Sequence, residues 1–379
     1  MRICYALLSP TFGMHQYTAD LAATLARAGH AVQLATTDRY PADRYDPAMP
    51  VICPSPAQDT GYSLDAARPG ACARIVRAIE ALQPDVVHFT GPHIWNIAVM
   101  RELARRGIPL VHTLHDLDPH AGGAYGRLVQ RWNRAVLRWS DHILVHGECY
   151  RQRLLRAGLA VDQVSCTPLL HPFVGHASLA QAQRHADSPA YEPFLLFFGR
   201  LEPYKGLDHL LRAWEQVRPA GASLVVAGPG DLSRCWEGAL PAGVQLRNHL
   251  VGDAEASDLF RRCAAVVLPY TQASQSALIA AAYFYQKPVI ASCSGALPEY
   301  VETGETGWLV NPIDEGALAD VLTEALASPQ RLRRMGAAGR RWYEEHRERE
   351  RTLLESMYTR VVGGASAASA HSASHIELG

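Results

Sequence analysis

Apolar residues in this chain fall into short solid runs separated by stretches of mixed polarity, and that alternation sets the expected architecture. The runs at 2–8, 32–36, 85–89, 109–113 and 142–146 are short and β-rich, the pattern of strands. Between and after them, 15–28, 71–82, 95–106, 126–139 and 148–157 repeat apolar positions at helical spacing. Strand, helix, strand in this rhythm implies parallel strands joined by crossover helices. A stretch rich in Ala, His, Gln and Pro at 171–193 reads as a linker loop, and the rhythm then restarts. Strands are expected at 194–198, 223–227, 265–268 and 288–291, and helices at 206–217, 254–262, 274–285 and 314–327. The fold class is therefore α/β, with Rossmann-like domains at 1–170 and 194–346. A last helical stretch, 329–362, contains HRERERT, where a bend would return 347–362 to the first domain. The tail 363–379 is poor in large apolar residues and is expected to be disordered.

The chain has 379 residues, more than one core usually supports, which agrees with two domains. Its formal net charge is -1 and lysine is scarce, which argues against a general nucleic-acid binder. The eight cysteines, at 4, 53, 72, 149, 166, 235, 263 and 293, form no CxxC and read as reduced thiols. The opening MRICYALLSP is too short an apolar run for a signal peptide, and no window of about 18 apolar residues follows. A cytosolic protein is expected.

The segment FLLFFGRLEPYKG, 194–206, carries the clearest chemistry. A buried strand ends at Gly199, and Arg200 and Lys205 bracket the turn that opens the next helix. In open α/β sheets ligands bind at the carboxyl edge of the strands. A guanidinium fork and an ammonium placed there hold phosphate oxygens without a metal.

Four segments extend this: GRLEPYKG, SLVVAGPGDL, AAVVLPY and QKPVIASCSGALPEYVETGETGWLV. In order and spacing they resemble the retaining glycosyltransferases of family 4, with the GT-B fold, and the resemblance covers most of residues 1–345. It implies two Rossmann-like domains with parallel sheets facing a central cleft. It further implies that Arg200 and Lys205 bind the diphosphate of a sugar nucleotide, that Gly199, Gly228 and Gly230 form the donor loops, and that Glu299 holds a donor-sugar hydroxyl. Gly295 and Pro298 read as backbone geometry of that last turn. The family's two glutamates, eight residues apart, fall here at Ala273 and Ala281. The segment instead resembles a bacterial subset with an ASQSG-like sequence, so Ser274, Gln275 and Ser276 are read as donor-binding, with an ordinary helix cap as the plain alternative.

In the first domain, SPTFGMHQYT resembles the family's glycine loop with one glycine, Gly13, where a pair is common. Gly13, His15 and Tyr17, with His93 and Asp116, are the candidate acceptor contacts. VHTLHDLDPH places His115 where the family has a histidine that bonds the donor sugar, and His112 within the strand as structural. Asp116 and Asp118 form a DxD pair, but Arg200 and Lys205 already supply positive charge, so no metal and no cofactor is expected. Arg127, Arg131, Arg134 and Arg138, with Trp132 and Trp139, form a basic helix stripe that would meet anionic headgroups at the inner face of a membrane, or simply solvent.

Taken together, the resemblance implies a metal-independent transferase. It would move a sugar from a nucleotide-diphosphate donor to the hydroxyl of a glycan, a lipid-linked acceptor or a small molecule, with retention and with domain closure gating the step. Two alternatives stand beside it: a catalytically silent partner subunit, and a phosphorylase or epimerase of the same fold.

Overall fold

The structure is a computed structural model that describes residues 1–56, 70–117, 124–217 and 221–365, with side chains outside the description at 124–130. The chain divides into two units, one of residues 1–167, 175–177 and 348 onward, the other of 168–174 and 178–347.

The first unit is built on β1 (Arg2–Ala6), β2 (Ala31–Thr37), β3 (Val51–Ser55), β4 (Val86–Phe89), β5 (Leu110–Thr113), β6 (His142–Val145) and β7 (Val164–Cys166). Its helices are α1 (Phe12–Arg27), α2 (Ala71–Ala81), α3 (Trp95–Arg105), α4 (Ala124–Trp139) and α5 (Glu148–Arg156). The strands form one parallel sheet in the order β3-β2-β1-β4-β5-β6-β7. Every residue of β4, β5 and β6 is buried, as expected of strands covered on both faces.

The second unit follows α6 (His176–Asp187). Its strands are β8 (Phe194–Phe198), β9 (Ser223–Ala227), β10 (Val244–Arg247), β11 (Ala265–Leu268), β12 (Val289–Ser292) and β13 (Gly307–Val310). They pair in parallel in the order β10-β9-β8-β11-β12-β13. Helices α7 (Leu207–Val217), α8 (Asp253–Arg262), α9 (Ala277–Phe284) and α10 (Glu315–Ala327) connect them, and α11 (Pro329–Ala365) closes the described chain. The order reverses at β8 and β11, which makes their carboxyl ends the topological switch point of this sheet. The core beneath is set by Leu195 and Phe197 of β8, Leu210 and Trp214 of α7, and Leu322 of α10.

Three expectations need correction. The stretch 171–193, read as a loop, contains the three-turn helix α6, whose Ala182 and Ala186 are buried. The strands β3, β7, β10 and β13 were not anticipated. Helix α11 runs unbroken through HRERERT, where a bend was expected; its residues up to 347 belong to the second unit and those from 348 to the first. The tail lies outside the described residues beyond position 365. Among the described residues no helix is long and apolar enough to cross a membrane.

Two glycines let α11 seat on the second unit. A Cβ on Gly336 would strike the Gln286 carbonyl, and one on Gly339 the ring of Tyr283. Alanine is the better helix former by about 1 kcal/mol, so Gly336→Ala would stabilise a free helix. Here the collision is with backbone, and the variant is expected to lose about 1–3 kcal/mol, seen as a lower midpoint in thermal unfolding. Gly316→Ala in α10, whose Cβ would make only an ordinary contact with the Asp314 side chain at 3.7 Å, is the control that should not destabilise.

Candidate functional site

In the second unit the loops at the carboxyl ends of the strands are tied to one another through their backbones. Gly199 N–H donates to the Ala227 carbonyl at 2.9 Å, Leu201 N–H to Pro229 at 2.9 Å, Gly228 N–H to Arg247 at 3.0 Å and Thr271 N–H to Tyr204 at 2.9 Å. Ala296 N–H reaches the Ser274 carbonyl at 3.0 Å, and Ala273 N–H the Ser294 hydroxyl at 2.9 Å. At Gly228, φ +146°, two loops meet closely: a Cβ there would strike the Gly199 carbonyl. Asn248 adds a two-point clasp, its Oδ1 accepting from Gly230 N–H at 3.1 Å and its Nδ2 donating to the Gly230 carbonyl at 2.9 Å. This clasp had no signal in the sequence, because an Asn beside a strand usually reads as a turn residue.

On this rim the structure brings Arg200 and Lys205 together. Arg200 is exposed, while the turn Pro203–Lys205 carries the Lys205 side chain back over Gly199, whose added Cβ would stand 2.5 Å from Nζ. The ammonium also lies over the Tyr270 ring, 5.4 Å from its centroid. Among the described residues neither cation has a carboxylate within ion-pair distance, and nearby Glu202 pairs instead with Arg234 at 3.4 Å. Burial first, then the Arg200 charge, push the Lys205 ammonium down to about 8, with Glu202 opposing. A group in this state favours any anion that enters.

The rest of the expected donor set is distributed around this pair. Ser276 is the N-cap of α9, its hydroxyl accepting from Leu278 N–H at 3.3 Å, so the plain cap reading holds for that side chain. Ser274 is buried, and the Gln275 side-chain oxygen is buried without a hydrogen-bond partner. Glu299 is exposed at the end of the turn Leu297–Glu299. Ala273 and Ala281 are both buried, Ala281 within a helix whose every residue is interior. A pocket of about 370 Å³ opens beside the Lys205 turn, lined by Tyr204, Asp208, His209, Arg234 and Gln272 among others, and it contains neither of the two cations. Its charges are already matched, with His209 bonded to Glu315 at 3.0 Å.

In the first unit His115 follows β5. Its Nε2 lies 3.0 Å from the Thr90 carbonyl, which can only accept, so Nε2 carries the proton. Nδ1 is then a bare acceptor, buried and without a partner among the described residues. Burial, the main effect, lowers the imidazole below its ordinary pKa and keeps it neutral. Asp116 beside it is exposed. Gly13 lies in the first turn of α1, where an added Cβ would meet nothing.

The other acceptor candidates of the first unit are less exposed than a contact at a helix start would be. His15, Tyr17 and His93 are all interior, at 0%, 1% and 0% exposure. His15 is bonded to the Tyr45 hydroxyl at 2.7 Å, and His93 Nδ1 accepts from Trp95 N–H at 3.1 Å. Burial pushes both imidazoles down to about 4. His112 is interior, as expected, between Phe89 and Trp132. Arg131, Arg134 and Arg138 are exposed on α4, Arg138 over the Trp139 ring, while Trp132 and Val136 are buried. The Arg127 side chain and Asp118 lie outside the described residues. Among the described residues no group of three His, Cys, Asp or Glu comes together as metal ligands.

Comparison with known proteins gives the same picture at larger scale. Residues 12–169 match the family described as glycosyl transferase 4-like domain, and residues 192–328 match glycosyl transferases group 1. A D-inositol 3-phosphate glycosyltransferase of Mycolicibacterium smegmatis is 28% identical over 366 residues, covering 86% of this chain and 81% of the relative. A GDP-mannose:glycolipid 4-beta-D-mannosyltransferase of Xanthomonas campestris pv. campestris is 27% identical over 247 residues, covering 61% of this chain and 64% of the relative. Among solved structures, a sucrose-phosphate synthase from Thermosynechococcus elongatus superposes with a TM-score of 0.72 at 21% identity, over 96% of this chain and 100% of that one. Anabaena HepE in complex with UDP and glucose superposes with a TM-score of 0.67 at 17% identity, over 97% and 100%. With both of its domains matched in order, the chain belongs to the GT-B glycosyltransferases, joining a glycosyl transferase 4-like domain to a group 1 domain.

Proposed function

We propose that this glycosyltransferase takes its sugar from a nucleoside diphosphate, needs no metal and retains the anomeric configuration. The observation that carries the reading is the Lys205 ammonium held over Gly199 within reach of the Arg200 charge, with no carboxylate partner for either cation among the described residues. Relatives named for GDP-mannose and a similar fold crystallised with UDP support a donor of that class. As the bond from the anomeric carbon to the β-phosphate oxygen breaks, negative charge grows on that oxygen, and cations already in place stabilise it more than they stabilise the ground state. With alanines at 273 and 281, no carboxylate at those positions serves as a nucleophile. Attack is therefore assigned to the face the diphosphate leaves. The leaving oxygen accepts the acceptor hydroxyl's proton as the new carbon–oxygen bond forms. His115, neutral with a bare Nδ1, accepts a hydrogen bond from a substrate hydroxyl, and Gln275 offers an acceptor oxygen to the donor. The acceptor is a hydroxyl of a glycan, glycolipid or polyol, the classes named in the relatives. The exposed Arg131, Arg134 and Arg138 would bring the enzyme to an anionic membrane surface where such an acceptor resides.

Arg200→Ala and Lys205→Ala should each lower kcat/KM about a hundredfold, about 3 kcal/mol of transition-state stabilisation. Turnover within a few-fold of the parent would refute the site, and a product with inverted anomeric configuration by proton NMR would refute retention. Lys205 has a depressed pKa, so its charge is lost as pH rises through about 8. Calorimetric titration with the responding nucleoside diphosphate should show binding about tenfold weaker at pH 9 than at pH 7, a loss absent in Lys205→Arg. Sedimentation with anionic vesicles at low salt should carry the protein down, and Arg131, Arg134 and Arg138 changed together to Ala should leave it in the supernatant.

A further inference from the structure

Tyr17 lies on α1 near the candidate site, yet its side chain is interior and its hydroxyl is engaged. Its Oη is 3.0 Å from Thr113 Oγ1 at the end of β5. The same Oγ1 is 2.8 Å from His88 Nε2 on β4, and His88 Nδ1 is 2.6 Å from the Tyr358 hydroxyl on α11, which in turn lies 3.3 Å from that of Tyr5 on β1. Burial holds the His88 imidazole well below its ordinary pKa, so the ring carries one proton and donates from one nitrogen while accepting at the other. The chain Tyr358, His88, Thr113, Tyr17 is thus polarised as a unit, and its members restrain one another.

At the end of this chain the Tyr17 ring stands edge-on to two imidazoles. His115 is 5.0 Å away at 85°, and His146 is 5.1 Å away at 84°. The two imidazoles are 5.2 Å apart, and His146 is itself fixed, with Nδ1 3.0 Å from the Thr167 carbonyl. The Tyr17 ring, the tilted His146 ring and the Thr90 carbonyl therefore flank His115 and leave Nδ1 as its one ring nitrogen without a partner among the described residues.

We propose that Tyr17 is a positioning residue for His115: its ring, anchored through Thr113, His88 and Tyr358, shields the imidazole and aims its Nδ1 lone pair at a substrate hydroxyl. The proposal rests on the role given to His115 under Proposed function. The titratable groups around His115 are Tyr17 from α1, His146 after β6, His112 on β5, His88 on β4 and Asp116 on its own loop, while Glu350 of α11 acts on Tyr17. Burial is the main cause of the lowered His115 pKa, and the Asp116 charge opposes it. Removing the Tyr17 ring admits water and lets the titration rise toward 6.5.

The test is a 15N-histidine NMR titration of the full chain, assigned with His115→Gln, alongside donor turnover. In Tyr17→Leu the His115 midpoint should move toward 6.5, and the ratio of kcat at pH 6 to kcat at pH 8 should fall by up to about fourfold with donor KM within about twofold. Tyr17→Phe keeps the ring and should restore most of both. A folded Tyr17→Leu with an unmoved His115 titration overturns the proposal, as does a Phe variant no closer to the parent than Leu. Should Tyr17→Leu not fold, Thr113→Val leaves both rings and frees the anchor: shifted His115 signals with kcat several-fold lower support the proposal, and unchanged signals and rate overturn it. A moved titration with turnover indifferent to both His115→Gln and Tyr17→Leu keeps the positioning role and refutes the assignment of His115 to substrate.

Discussion

An ammonium held over one glycine within reach of a second positive charge is the constraint on which the second unit depends. A half-buried ammonium next to a guanidinium is an unfavourable arrangement in the empty protein, and the lowered Lys205 pKa is its signature. Such an arrangement persists only if the surrounding backbone cannot relax away from it. The rim supplies that rigidity: loops from β8, β9, β10, β11 and β12 are joined by main-chain hydrogen bonds, and glycines let their backbones touch. An entering diphosphate relieves the repulsion, so the stored free energy appears as anion affinity placed where negative charge develops.

The first unit solves a different problem. Its sheet interior is unusually polar, with His88, His112, His115, His142 and His146 buried together. Burial keeps His88, His112 and His142 neutral; tyrosine and threonine hydroxyls bond His88, and the Ser165 hydroxyl bonds His142. A neutral polar interior of this kind can read hydroxyl groups without bringing a second charge into the reaction. It also gives the final segment of α11 a specific seat in this unit, through Tyr358.

How much was legible in the sequence follows from burial. The nine anticipated strands are all the interior ones of the two sheets, where both faces are covered and the apolar run is continuous. The four missed strands, β3, β7, β10 and β13, are the four edges. β10 reads VQLR with no residue fully buried, β3 contains Pro54, and β7 is three residues long; such strands leave no solid apolar run to detect. The Arg200 and Lys205 pair was legible because its cations sit within one continuous segment. His15 and Tyr17 are interior because α1 begins at Phe12, a turn earlier than expected, which extends the inward face of Thr18, Leu21, Ala22 and Leu25 back across them. Polar side chains on an apolar face look like exposed ones until the helix phase is known. The Asn248 clasp and the His88 chain join residues far apart in sequence, and no local pattern announces them.

The most direct test of the central claim is thermal unfolding of the parent and Lys205→Ala in chelator, with UDP, GDP, ADP, CDP and dTDP in turn. If the paired cations form a metal-free diphosphate site, one nucleotide at about a hundred times its dissociation constant should stabilise the parent by about 2.7 kcal/mol and Lys205→Ala far less. Stabilisation of both proteins to the same extent, or of neither by any of the five, would contradict it.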